Sequence, residues 1–143
     1  MIDNPTINAF AGPGGIIGIN SGIILNSGSE SELAGVVAHE IAHVTQRHLA
    51  RTFEEAKKFN LPTAAAMIGA LIIATQDPAA GQAAITGIAG FNVQNQINFT
   101  RENEEEADRI GISLLAKSGY DPRGMPSFFE RLQKLSKFSQ SNA

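Results

Sequence analysis

His39-Glu40-Ile41-Ala42-His43 constrains this chain more than any other stretch of it. On a helix, residues four apart stand one above the other on the same face. The two imidazoles can therefore reach one metal ion, each at roughly 2.0–2.1 Å if the ion is zinc. Glu40 sits about 100° further round the turn, near enough to hold a water beside the ion without ligating it. A catalytic zinc site takes three protein ligands and leaves a position for water, so the fold must bring one more donor to this helix.

The choice of donor is narrow. Cysteine is absent and the chain has only three histidines, so any metal is held by His, Asp or Glu. His48 lies five residues beyond His43, about 140° round a continuous helix and away from His39, which makes it a surface residue or an outer partner rather than a ligand. The acidic run Glu102-Asn103-Glu104-Glu105-Glu106-Ala107-Asp108 is the better source. Glu104 and Asp108 share one helical face, on the apolar side with Ile112 and Leu115. One carboxylate can ligate the ion while the other accepts the second ring N–H of a ligand histidine and fixes its orientation. Glu102 is a weaker candidate for the ligand. Glu105 and Glu106 read as a solvated helix start.

The surrounding pattern predicts a mainly helical α+β fold. Residues 7–11 and 16–25, Ile-rich and separated by Gly12-Pro13-Gly14-Gly15, read as a β-hairpin with a third short strand at 23–25. Ser29 with Glu32 forms a capping box that opens a long helix, expected to run to about Asn60 before Pro62. Residues 61–75 are uncharged and apolar but shorter than the roughly 18–20 residues that span a bilayer, which favours a buried core helix over a membrane-surface segment or a mobile cover. A softer Ala/Gly/Gln-rich stretch follows over 79–99. Thr100 reads as the N-cap of the acidic helix, Gly119 as the residue that closes it, and Asp121-Pro122 as the cap of a last helix carrying Phe128, Phe129, Leu132 and Leu135.

At 143 residues the chain is long enough for one compact domain, and a net charge of -3 offers no basic stripe for nucleic acid. Met1-Ile2-Asp3-Asn4-Pro5 shows no signal peptide and runs quickly into strand-like sequence, as in a piece of a longer protein.

Asn8-Ala9-Phe10-Ala11 with its glycine turn, then HEIAHVTQRHLAR, then Arg101 to Gly111 with Glu104 and Asp108, then Gly119-Tyr120-Asp121-Pro122, resembles the zinc metallopeptidase family of HtpX, BepA and the CAAX prenyl proteases. The resemblance spans almost the whole chain in order and is strongest to BepA-like periplasmic members. It implies a zincin-like core of the gluzincin type, with the N-terminal hairpin packed on the HExxH helix and an ExxxD helix beside it. Residues 1–143 would then be one catalytic domain of a longer protein. It also implies one zinc ion held by His39, His43 and Glu104, Glu40 as general base, and Asp108 behind a ligand.

The implied activity is zinc-dependent endopeptidase cleavage in quality control of membrane or envelope proteins, with the parent in the bacterial periplasm or at a membrane. An exposed strand edge can bind an extended substrate as an added strand, which makes Asn8 and Ala9 candidate substrate contacts. The substrate expected is an unfolded or membrane-derived polypeptide, with membrane-surface contact available through 61–75. Arg101 and Tyr120 are candidate donors to the oxyanion of the reaction, although Tyr120, in Gly-Tyr-Asp-Pro, reads first as a packing residue at a helix junction. Two rivals belong to other classes: a non-catalytic, metal-stabilised chaperone-like module, and a membrane-interaction module centred on 61–75. Glu40 argues against the first, because a structural site closes with four protein ligands and has no use for a base.

Overall fold

The glycine-rich turn forms the hairpin that the N-terminal sequence predicts. The computed structural model describes residues 1–141, and their side chains apart from those at 61, 76, 136 and 138–141. Strand β1 (Ala9–Gly12) pairs antiparallel with β2 (Ile16–Ile19), with Ala9 opposite Ile19 and Gly12 opposite Ile16. A short 3-10 turn over Pro13–Gly15 joins them, and Gly14 and Gly15 take φ of 77° and 80°, where a Cβ is disfavoured. The third strand does not form. Residues Ser21–Asn26 are instead a short helix, α1, which buries Ile23.

Four longer helices follow: α2 (Glu30–Thr45), α3 (His48–Gln76), α4 (Pro78–Lys117) and α5 (Gly124–Ser141). The molecule is mainly helical α+β, as expected. Two boundaries differ from the sequence reading. The HExxH helix stops at Thr45 rather than near Asn60, because Arg47 adopts a left-handed φ of 56° and the chain restarts as α3 at His48. Thr100 caps nothing, since α4 runs through it without a break.

Close contacts divide the chain into two units, residues 1–49 with the chain from Glu105 onward, and residues 50–104. In the first unit, α2 packs on α5 and on β1. Ser29 caps α2 by accepting from the Glu32 N–H at 3.2 Å. Ile23, Val36 and Phe128 form one buried cluster, and Ala38, Leu115 and Met125 a second. Between α2 and α5 lies a buried carboxylate. Glu32 accepts from Ser127 Oγ at 2.8 Å, from Arg131 Nε and Nη2 at 3.1 Å each, and from the Gly28 N–H at 2.6 Å. Its pKa falls to about 2, chiefly through the Arg131 hydrogen bonds, with burial opposing.

The second unit is a hairpin of two antiparallel helical segments, tied midway by Asn92 Nδ2 donating to Thr63 Oγ1 at 3.1 Å. At its tip, Asp77 Oδ1 accepts from the N–H groups of Ala79 and Ala80 and caps α4. The apolar stretch 61–75 is no buried core helix: Ile68, Leu71, Ile72 and Ile73 are exposed, and Ala70 is the buried residue among those described there. A single partner helix covers one stripe of a helix, not its circumference. Among the described residues, His48–Thr75 is the one helix long and apolar enough to cross a membrane, by length and composition.

Candidate metal centre

The geometry begins with two small residues. Ala42 on α2 and Ala107 on α4 are fully buried. One turn beyond Ala107, Gly111 lets the α4 backbone reach that of α2: a Cβ at Gly111 would lie 3.2 Å from both N and Cα of His39. This close approach sets Asp108, three residues earlier on α4, against the His39 ring. Asp108 Oδ1 lies 2.9 Å from His39 Nδ1. A carboxylate only accepts, so His39 Nδ1 carries a proton, and in the neutral ring Nε2 is the electron-pair donor.

His43, one turn along α2, meets His39 edge to face, with ring centroids 4.7 Å apart. Its Nε2 lies 3.0 Å from His39 Nε2. On its other side, His43 Nδ1 is 2.8 Å from Nδ1 of His48, whose Nε2 is 3.1 Å from Glu106 Oε2. The same reasoning assigns each proton. Glu106 accepts from His48 Nε2–H, so His48 Nδ1 accepts from His43 Nδ1–H, and His43 too directs an electron pair from Nε2. Two acceptor nitrogens thus face each other at 3.0 Å, against about 3.3 Å for two nitrogens on one tetrahedral zinc. This donor set suits a shared cation.

Glu104 is the third candidate. It is exposed and stands one turn before Asp108 on the same helix, so the continuity of α4 carries it to the same side. One ligand atom from each of His39, His43 and Glu104 lies within 4.8 Å of the others, a group that could hold a metal ion. Glu102 is outside it. Glu40 is buried on α2 at 8% exposure, directly after the first histidine.

The remaining sequence candidates fare differently. His48 is 4% exposed, so of the two roles open to it, surface residue or outer partner, it takes the second. Glu106 is no solvated helix start, because it bonds His48. Tyr120 lies 3.5 Å from Glu30 Oε1 at the start of α2. That is nine residues, or ~13 Å of helix, from His39, which does not suit an oxyanion donor at the histidines. Arg101 is exposed on α4. Ala9 belongs to β1 and the exposed Asn8 precedes it, its carbonyl accepting from the Asn20 N–H at 3.0 Å. The sheet has two strands among the described residues, so the edge of β1 away from β2 has no strand beside it. Phe129 on α5 places its ring edge to face with His39, with centroids 5.9 Å apart.

Known proteins resemble this chain in sequence. Peptidase family M48 matches residues 1–141. The chain belongs to that family. The beta-barrel assembly-enhancing protease of Escherichia coli K12 is 46% identical over 139 residues, 97% of this chain and 28% of that protein. A Vibrio cholerae protein provisionally given the same name is 54% identical over 132 residues, 92% of this chain and 27% of its own length. Mitochondrial metalloendopeptidase OMA1 of Arabidopsis thaliana is 33% identical over 145 residues, 94% of this chain and 25% of that protein. The chain spans about a quarter of the length of these relatives.

Proposed function

We propose that this chain is the core of a zinc-dependent endopeptidase, with His39, His43 and Glu104 as ligands, Glu40 as general base and Asp108 orienting His39. Residues 1–143 form, on this reading, one catalytic domain within a longer protein. The observation that carries the proposal is the pair of Nε2 atoms facing each other at 3.0 Å, each made an electron-pair donor by an acceptor behind its ring. When bound, zinc acidifies water and polarises the scissile carbonyl. His₂Glu ligation also suits other divalent ions, and zinc is the choice this donor set and the family favour.

Glu40 supplies the proton chemistry. Its carboxylate takes a proton from the attacking water and delivers it to the leaving amine nitrogen. Burial of Glu40 shields the transfer from bulk water. Asp108 holds the His39 ring, and the open edge of β1 at Asn8 and Ala9 accepts an extended polypeptide as a further strand.

The substrate class is unfolded or membrane-derived polypeptide in the bacterial envelope. Its support is the beta-barrel assembly named in the relatives, together with the exposed apolar side chains of 61–75, which also offer a membrane-surface contact. The test is casein cleavage by this chain and by its full-length parent, with activity removed by chelation and restored by zinc. Absence of zinc-dependent cleavage in both would overturn the proposal.

A further inference from the structure

We infer that His48 and Glu106 are positioning residues for the second histidine of the metal centre, a counterpart for His43 of what Asp108 does for His39. The inference rests on the proposed ligand role of His43. Three side chains run in line: His43 Nδ1 to His48 Nδ1 at 2.8 Å, then His48 Nε2 to Glu106 Oε2 at 3.1 Å. The rings of His43 and His48 meet edge to face with centroids 4.9 Å apart, so ring packing and the hydrogen bond hold His43 together.

The direction of the chain of hydrogen bonds follows from its end. A carboxylate accepts, which places the His48 proton on Nε2 and leaves Nδ1 as acceptor for His43 Nδ1–H. With Nδ1 committed, His43 presents Nε2, the nitrogen that faces His39 Nε2. A ring held in one tautomer and one orientation loses less freedom when it binds an ion, and an acceptor behind it makes Nε2 a stronger donor.

The backbone supports this placement. His48 would point away from His43 on a continued α2, but the left-handed Arg47 ends that helix and turns His48 back onto the ligand. The result is a histidine 4% exposed at the first position of α3, linked by its two ring nitrogens to α2 and α4. Asp108 and Glu106, two residues apart on α4, thus serve the two histidines from one helix.

The test measures zinc affinity by chelator competition, and the visible spectrum of the cobalt-substituted protein, for the full chain and four variants. His48→Leu removes the acceptor and keeps the volume, and is expected to weaken zinc binding ~10–100-fold and shift the cobalt bands. His48→Gln restores an acceptor carbonyl and is expected to recover most of that loss. Glu106→Ala, at a partly exposed position that does not threaten folding, is expected to weaken binding ~10-fold. Wild-type affinity and spectrum in both Glu106→Ala and a folded His48→Leu overturn the inference. If His48→Leu fails to fold, Glu106→Ala decides alone. His43→Ala separates the two levels: if it binds zinc like the wild type, the ligand assignment fails, whereas loss in His43→Ala without any change in the others sinks only the positioning role.

Discussion

Asp108 Oδ1 lies 2.9 Å from Nδ1 of His39, although the two residues are 69 positions apart in the chain. The contact joins α4 to the face of α2 that carries His39 and His43, and commits Nδ1 of the His39 ring to Asp108. Asp108→Asn keeps the size of the side chain but weakens the acceptor and lets the amide present a donor instead. Zinc affinity is expected to fall ~10–100-fold while the melting temperature changes little. Isothermal titration of the metal-free protein with zinc measures it, and an unchanged dissociation constant would contradict the orienting role.

The same contact depends on Gly111. A methyl group there would stand 3.2 Å from His39 N and Cα and closer still to Met125 Cε, so Gly111→Ala forces α4 away from α2. The expected cost is about 1–3 kcal/mol of stability by overpacking, with zinc affinity lowered through the displaced Asp108. Denaturant unfolding and zinc titration of the one variant report both effects. A variant as stable as the wild type, with unaltered zinc affinity, would contradict the close approach.

Glu32 makes the first unit sensitive to acid. Its pKa is about 2 in the folded protein, held down first by Arg131, against 4.5 in the unfolded chain. Its stabilising contribution is therefore complete above about pH 4.5 and is lost as the pH falls toward 2. Glu32→Ala strands the Gly28 N–H, Ser127 hydroxyl and Arg131 guanidinium, and is expected to cost roughly 2 kcal/mol at neutral pH. Unfolding curves between pH 7 and 2 should converge for the two proteins as the pH drops. Parallel curves would show that Glu32 carries no such linkage.

The edge of β1 gives a prediction about substrate length. If an extended peptide pairs with the backbone near Asn8 and Ala9, longer peptides gain binding that short ones lack. Ala9→Pro removes a backbone N–H and disturbs that edge, so kcat/KM should fall ~10-fold or more for long peptides and less for short ones. Equal losses for both lengths would remove the strand from the substrate site.

Much of this site was legible because local rules govern it. The spacing of His39 and His43 needs only one helical turn, and the ExxxD spacing of Glu104 and Asp108 needs only another. The capping box at Ser29 and the turn at Gly14 and Gly15 are likewise decided by near neighbours. Periodicity failed where the chain breaks its own period. Nothing in Gln46-Arg47 announces a left-handed residue, so helical periodicity projects His48 onto the wrong face and leaves Glu106 in solvent. Residues 23–25 form a helix despite their strand-forming composition. The exposure of 61–75 was also hidden, because hydrophobicity reports what a helix can bury, not how many partners it has.

The central claim is that three side chains hold a zinc ion while Glu40 moves the proton. It is tested most directly by measuring zinc content and peptide cleavage together, in the wild type and in Glu40→Gln, within the full-length protein. The account predicts one zinc per chain in both, with cleavage lowered ~10²–10⁴-fold in the variant. A variant that cleaves at the wild-type rate, or a wild type that hydrolyses peptide without bound metal, would contradict it.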